Sequence, residues 1–89
     1  TLYNEIGLSL TYLNNPAEGL RYIEEGIKKN PYHQRIWLTK GFILSRAGNN
    51  KGAKTAWEKT VALNPDSDVG KAAAQFLAAD KDVAKNKRK

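Results

Sequence analysis

Apolar residues recur at helical spacing in five consecutive stretches of the chain. In the first, Leu2, Ile6, Leu10 and Leu13, with Tyr3 and Leu8 beside them, fall three and four residues apart, the stripe of an amphipathic helix. "NNPAE" then interrupts it: Pro16 suits the first position of a second helix, Asn15 its cap and Glu18 the acid of a capping box. The second helix carries Leu20, Ile23 and Ile27 and ends at Asn30-Pro31, because proline disfavours the α conformation in the residue before it. A third helix is expected from about His33 to Ala47, with Ile36, Trp37, Gly41, Ile43 and Leu44 on or near one face. Gly48 can take the left-handed cap that closes it, and Asn50 can start the fourth. The fourth holds Ala53, Ala56, Trp57, Val61 and Leu63 and ends at Asn64-Pro65. After Asp66, Ser67 and Asp68, which suit a cap and the helix dipole, an Ala-rich fifth helix runs from about Val69 through Phe76 and Leu77 toward Val83. No stretch alternates with period two, so the expected class is all-α with five helices.

The first four helices are two versions of one unit. Shifted by 34 residues, Tyr3 falls on Trp37, Gly7 on Gly41, Leu10 on Leu44, Gly19 on Ala53, Ile23 on Trp57, Ile27 on Val61 and Pro31 on Pro65. Gly7 and Gly41 are expected where the two helices of a unit approach closely, facing the small residues Gly19 and Ala53. The large residues Tyr3, Trp37, Ile23 and Trp57 should fill the space between layers.

Trp37-x2-Lys40-Gly41-x2-Leu44, Ala53-x3-Trp57 and Pro65 resemble the tetratricopeptide repeat, as do Tyr3-x2-Ile6-Gly7-x2-Leu10, Gly19-x3-Ile23 and Pro31. The resemblance covers roughly the first 65 residues. It implies an α-solenoid, a right-handed superhelix of helix–turn–helix repeats, with repeat 1 over 1–33, repeat 2 over 34–67 and a capping helix with a basic tail over 68–89. That last helix should shield Trp57 and Val61 from water and present Lys71, Lys81 and Lys85 outward. Three positions depart from the pattern: Lys40 stands at a Leu-like site, and Thr60 and Gly26 stand where Ala is usual. The stem of Lys40 can pack while its ammonium reaches water. Gly7, Gly19 and Gly26, each about 1 kcal/mol poorer than Ala as a helix former, predict a less stable first repeat.

Composition narrows the chemistry. A chain of 89 residues is one small domain that buries about two thirds of its unfolded surface. It has no Cys, and hence no disulfide and no thiolate site. It begins without Met, without a basic flank and apolar block, and is expected to be a piece of something longer. No apolar run approaches the roughly 20 residues that span a bilayer. Half of the formal charge of +6 lies in the tail, where five basic residues oppose two acidic ones between Asp80 and Lys89. That run lacks interleaved aromatic residues and any reading motif, so a solvated helix end is expected ahead of contact with nucleic acid or an anionic membrane.

Nothing in the sequence assembles a catalytic centre. His33 is the single histidine and has no Cys or second His to share a metal or a triad with. Glu24 and Glu25 face Lys28 and Lys29 at i+4, as on a solvated helix face. The glycines and Lys54 of "GNNKGAKT" have the wrong spacing for a phosphate-binding loop, and no strand precedes them. No catalytic residue, metal or cofactor is expected.

What the resemblance implies instead is a binding surface. The first helices of successive tetratricopeptide repeats line a concave groove that receives peptides. By position that groove would take Asn4, Leu8, Thr11 and Tyr12, then Arg35, Leu38, Thr39, Phe42, Ser45 and Arg46, then Ala72, Ala73, Phe76 and Asp80. Leu8, Phe42 and Phe76 stand 34 apart and should form an apolar row. The family's carboxylate clamp needs polar residues where Leu8, Leu38 and Phe42 stand, which argues against a receptor for an acidic chaperone tail. The expected partner is another protein, offering a partly apolar peptide or helix with an acid for Arg35 or Arg46. Self-association through the uncapped first repeat is the other expectation.

Overall fold

In the computed structural model, which describes residues 2–87 and the side chains of 2–79, five α-helices follow one another: α1 (Leu2–Tyr12), α2 (Pro16–Lys29), α3 (Gln34–Arg46), α4 (Asn50–Leu63) and α5 (Asp68–Lys87). The all-α expectation holds, and no strand occurs among the described residues. Side chains from residue 80 onward, including Asp80 and the basic tail of Lys81, Lys85, Lys87, Arg88 and Lys89, lie outside the described set.

The helix boundaries repeat with the sequence. Asn15 Oδ1 accepts from Glu18 N at 3.4 Å, and 34 residues on Asn49 Oδ1 accepts from Gly52 N at 2.9 Å. The fourth helix is therefore capped by Asn49, one residue ahead of the expected Asn50, because only from Asn49 does the side chain reach back over the first turn. The expected capping box at Glu18 is half made. Asn15 N is already donated to Leu10 O at 2.8 Å, so the Glu18 carboxylate turns to Arg21, accepting from Nε at 2.5 Å. Left-handed residues precede both caps, Asn14 at φ 69° and Gly48 at φ 89°. At the other end, Asn30 Oδ1 accepts from Tyr32 N and Asn64 Oδ1 from Asp66 N, both at 3.1 Å. Each Asn-Pro thus turns the chain with its own Asx bond.

Turns of three residues join α1 to α2 and α3 to α4 as two helical hairpins. Within the first, an ideal Cβ on Gly19 would lie 2.6 Å from Gly7 O and 2.9 Å from Thr11 Oγ1, so neither Gly7 nor Gly19 has room for a methyl group. In the second, Gly41 is covered by the Trp57 indole. Gly26 carries a correction: it is no mere departure from Ala, since a Cβ there would run into Ile36 and lie 2.9 Å from Tyr3 Cβ. Ile23, Ile36 and Ile43 form the buried centre where the hairpins meet, with Tyr3, Leu20, Ile27, Trp37 and Phe42 packed around them.

Helix neighbours are selective. The odd helices form a continuous row, α1 against α3 and α3 against α5, and α3 also packs on α2 and α5 on α4. Among the described residues no Cα of α2 comes within 8 Å of a Cα of α4. A polar latch ties the second hairpin to α5. Gln34 Nε2 donates to Thr60 O and Asn64 O, each at 2.7 Å, while its Oε1 accepts from Ser67 Oγ at 2.6 Å. Ser67 Oγ in turn accepts from Gly70 N at 2.9 Å, which caps α5.

Candidate functional site

The residues expected to line a groove all come from the odd helices, whose mutual contact makes one surface. From α1, Tyr12 is exposed, Leu8 half-buried and Asn4 buried. From α3, Arg35, Ser45 and Arg46 are exposed, Leu38 and Phe42 half-buried, and Thr39 buried. Asn4 and Thr39 therefore offer a ligand little surface. Thr11 is also buried and spends its hydroxyl on Gly7 O at 2.9 Å, within its own helix. Of the α5 residues, Ala73 is fully buried, Ala72 half-buried and Phe76 43% exposed.

Three of these side chains come together. The Tyr12 and Phe42 rings sit 6.0 Å apart at 58°, across the α1–α3 seam. The Arg46 guanidinium lies over both, 5.9 Å from the Tyr12 centroid and 5.6 Å from that of Phe42. Two aromatic faces thus hold one cation without neutralising it, leaving its hydrogen-bond donors free for a carboxylate. Thr11, Asn14 and Pro16 join Arg46 around an adjoining cavity of about 310 Å³. Arg35 belongs elsewhere: eleven residues along the same helix is a rise of about 16 Å, so it and Arg46 cannot hold the same acid. Phe76 lies tilted against Trp57, with centroids 5.2 Å apart at 38°, and so serves the α4–α5 contact while remaining 43% exposed.

Some side chains expected elsewhere are differently employed. Lys28 pairs with Glu25 at 3.8 Å, but Glu24 reaches across to Lys40 at 3.3 Å instead of along its own helix. Lys40 does pack its stem as expected, with its side chain 22% exposed, and its ammonium lies 5.1 Å over the Trp37 ring. His33 stands in the turn, at the N-cap of α3, without a side-chain capping bond. Glu18 raises the Arg21 guanidinium above its ordinary value, first by hydrogen bonding and then by charge, in an exposed pair that braces the start of α2. Among the described residues no group of three His, Cys, Asp or Glu could hold a metal ion. Among them, too, no helix is long and apolar enough to cross a membrane.

Gln34 was not visible as a functional position from spacing alone, because its partners, Thr60, Asn64 and Ser67, are 26 to 33 residues away. Comparison of the chain with protein-family models, with curated proteins and with solved structures finds no match.

Proposed function

We propose that the chain is a protein-interaction module of the tetratricopeptide type, in which the two hairpins are successive repeats of a solenoid and α5 is a capping helix. Its work is to hold a partly apolar peptide or helix of another protein along the row of odd helices. The observation that carries this reading is the Tyr12–Phe42–Arg46 cluster, an exposed and a half-buried ring with a cation over both, on the row that such repeats use for binding. Leu8 and Leu38 supply apolar contact beside it, and Phe76 extends the row on α5. Two pairs of bonds that agree at a 34-residue offset, one at the helix caps and one at the Asn-Pro turns, support the repeat reading, as does the separation of α2 from α4.

The test is selection from a random-peptide display library on the native chain and on Arg46→Glu, with circular dichroism confirming that both are folded. Peptides combining apolar residues with an acid should be enriched on the native chain and lost on the variant. Equal enrichment on both would remove Arg46, and the cluster with it, from the binding surface. Phe42→Ala is the second arm, and its ring also packs on the core, so its melting temperature is measured alongside.

A second reading has its own observation. Leu2 of α1 and Leu13 in the turn after it are 69% and 76% exposed, and Ile6 and Leu10 of α1 are only half-buried. Such an apolar edge suits stacking against a further repeat or a second copy. Sedimentation over a range of concentrations, with Leu13→Lys as the control, distinguishes a self-associating edge from a free one.

A further inference from the structure

Where α2 and α4 stand apart, with no Cα pair between them within 8 Å, a groove of about 600 Å³ opens over α3. Trp37, Lys40 and Leu44 form its floor, with Leu20 and Glu24 on one wall and Ala56 and Lys59 on the other. It shares no residue with the odd-helix row. We propose that this groove is a second binding site, for an acidic peptide segment in which an apolar side chain neighbours carboxylates.

Charge and shape both favour that occupant. Two ammonium groups lie over the same indole, Lys40 at 5.1 Å from the Trp37 centroid and Lys59 at 5.7 Å. The one acid lining the groove, Glu24, takes Lys40 at 3.3 Å, and among the described residues Lys59 forms no ion pair. The groove therefore carries an unmatched positive charge beside an aromatic surface. The Trp37 N–H is already donated to Pro31 O at 2.7 Å, so the groove presents the ring face and not the polar edge. Half-buried Leu20 and the Trp37 ring give an apolar side chain something to pack on, which a phosphate backbone would not use.

Repeat comparison points to the same residues. Lys40 replaces Ile6, and Lys59 replaces Glu25, at equivalent places in the first hairpin. Both exchanges move charge toward positive at this one groove. Lys40 also braces α3 to Glu24 on α2, whereas Lys59 forms no ion pair among the described residues and meets α3 through the Trp37 ring. Lys59 is exposed, so Lys59→Gln removes its charge without opening the buried core.

The experiment is a titration of the ¹⁵N-labelled chain with a blocked Asp-Leu-Glu-Leu-Asp peptide and with its neutral counterpart, Asn-Leu-Gln-Leu-Asn. The acidic peptide should shift the Trp37 indole signal and the backbone signals of Thr55 and Lys59, with a Kd below about 1 mM. The neutral peptide, and the acidic peptide on Lys59→Gln, should each bind about five- to tenfold more weakly. Arg46→Glu should bind the acidic peptide at this groove as the native chain does, which keeps the outcome separate from that of the odd-helix row. Equal binding of the two peptides, an unchanged Lys59→Gln, or shifts centred on Tyr12 and Phe42 would each overturn the proposal. So would the absence of any response, or a double-stranded oligonucleotide that moves the same signals at a lower concentration.

Discussion

The two hairpins follow one 34-residue pattern and close their interiors in opposite ways. In α1–α2 the helices meet backbone to backbone at Gly7 and Gly19, and Ile23 fills the remaining space completely within the hairpin and its contact with α3. In α3–α4 the corresponding residues are Gly41, Ala53 and Trp57. An indole replaces the sec-butyl group, covers Gly41, and extends far enough to need Phe76 of α5 against it. The first hairpin is thus narrow, its Ile23 buried against Ile36 and Ile43 of α3, whereas the second is wide, its Trp57 set against Phe76 of α5. The buried Trp57 Nε1, which has no hydrogen-bond partner, is a cost of that width. Glycine content alone predicts the first hairpin to be the weaker, while the close approach at three of its glycines adds contacts that work against that difference.

Substitutions at the paired positions test that contrast. The largest expected effect is Trp57→Ala, about 3–5 kcal/mol of stability, with α5 losing hydrogen-exchange protection before α1–α2 does. Ile23→Ala should also be costly, but should loosen the seam between α2 and α3 and leave α5 docked. If exchange shows α5 released equally by both, the second hairpin has no special dependence on its neighbour. Next in size is Gly19→Ala, expected to destabilise by about 1–3 kcal/mol because Gly7 O and Thr11 cannot both retreat. A rise in melting temperature for Gly19→Ala, as helix propensity alone predicts, would refute the close approach. Ala53→Gly is the mirror experiment, with an expected loss of about 1 kcal/mol from propensity.

The latch and the caps should matter less. Gln34→Leu removes two bonds to α4 carbonyls and one to Ser67, and is expected to cost about 1–2 kcal/mol in chemical denaturation. No change on that substitution would leave Trp57 and Phe76 as the whole basis of α5 docking. The smallest pair is Asn15→Ala and Asn49→Ala, about 1 kcal/mol each by the same measurement. Asn49 makes the shorter bond, 2.9 Å against 3.4 Å, so it should show the larger loss of the two.

Much of this was legible before any coordinates. The apolar spacing gave five helices, and Asn30-Pro31 and Asn64-Pro65 marked where the even helices stop, because the residue before proline leaves the α region whatever surrounds it. Gly7 facing Gly19, and Gly41 facing the second helix of its unit, were readable from the offset. Other readings failed for identifiable reasons. Asn49 and Asn50 are equivalent as caps until the helix axis is set, and only the structure selects Asn49. For Glu24 an i+4 partner is visible in sequence, while Lys40 across the α2–α3 seam is not. Gly26 read as a weak helix former because nothing local announces Tyr3 and Ile36 against it.

The sequence by itself determined what depends on near neighbours: five helices, their ends at Asn30-Pro31 and Asn64-Pro65, and the 34-residue period, all set by interactions within one turn or one hairpin. Only the tertiary structure decided what the surfaces hold. It joined Tyr12, Phe42 and Arg46 into one cluster and sent Phe76 onto Trp57. By keeping α2 away from α4 it also opened a groove over Trp37 in which Lys40 and Lys59 converge. Those arrangements follow from the angle and spacing at which whole helices pack, which many side chains fix together and no short stretch encodes alone.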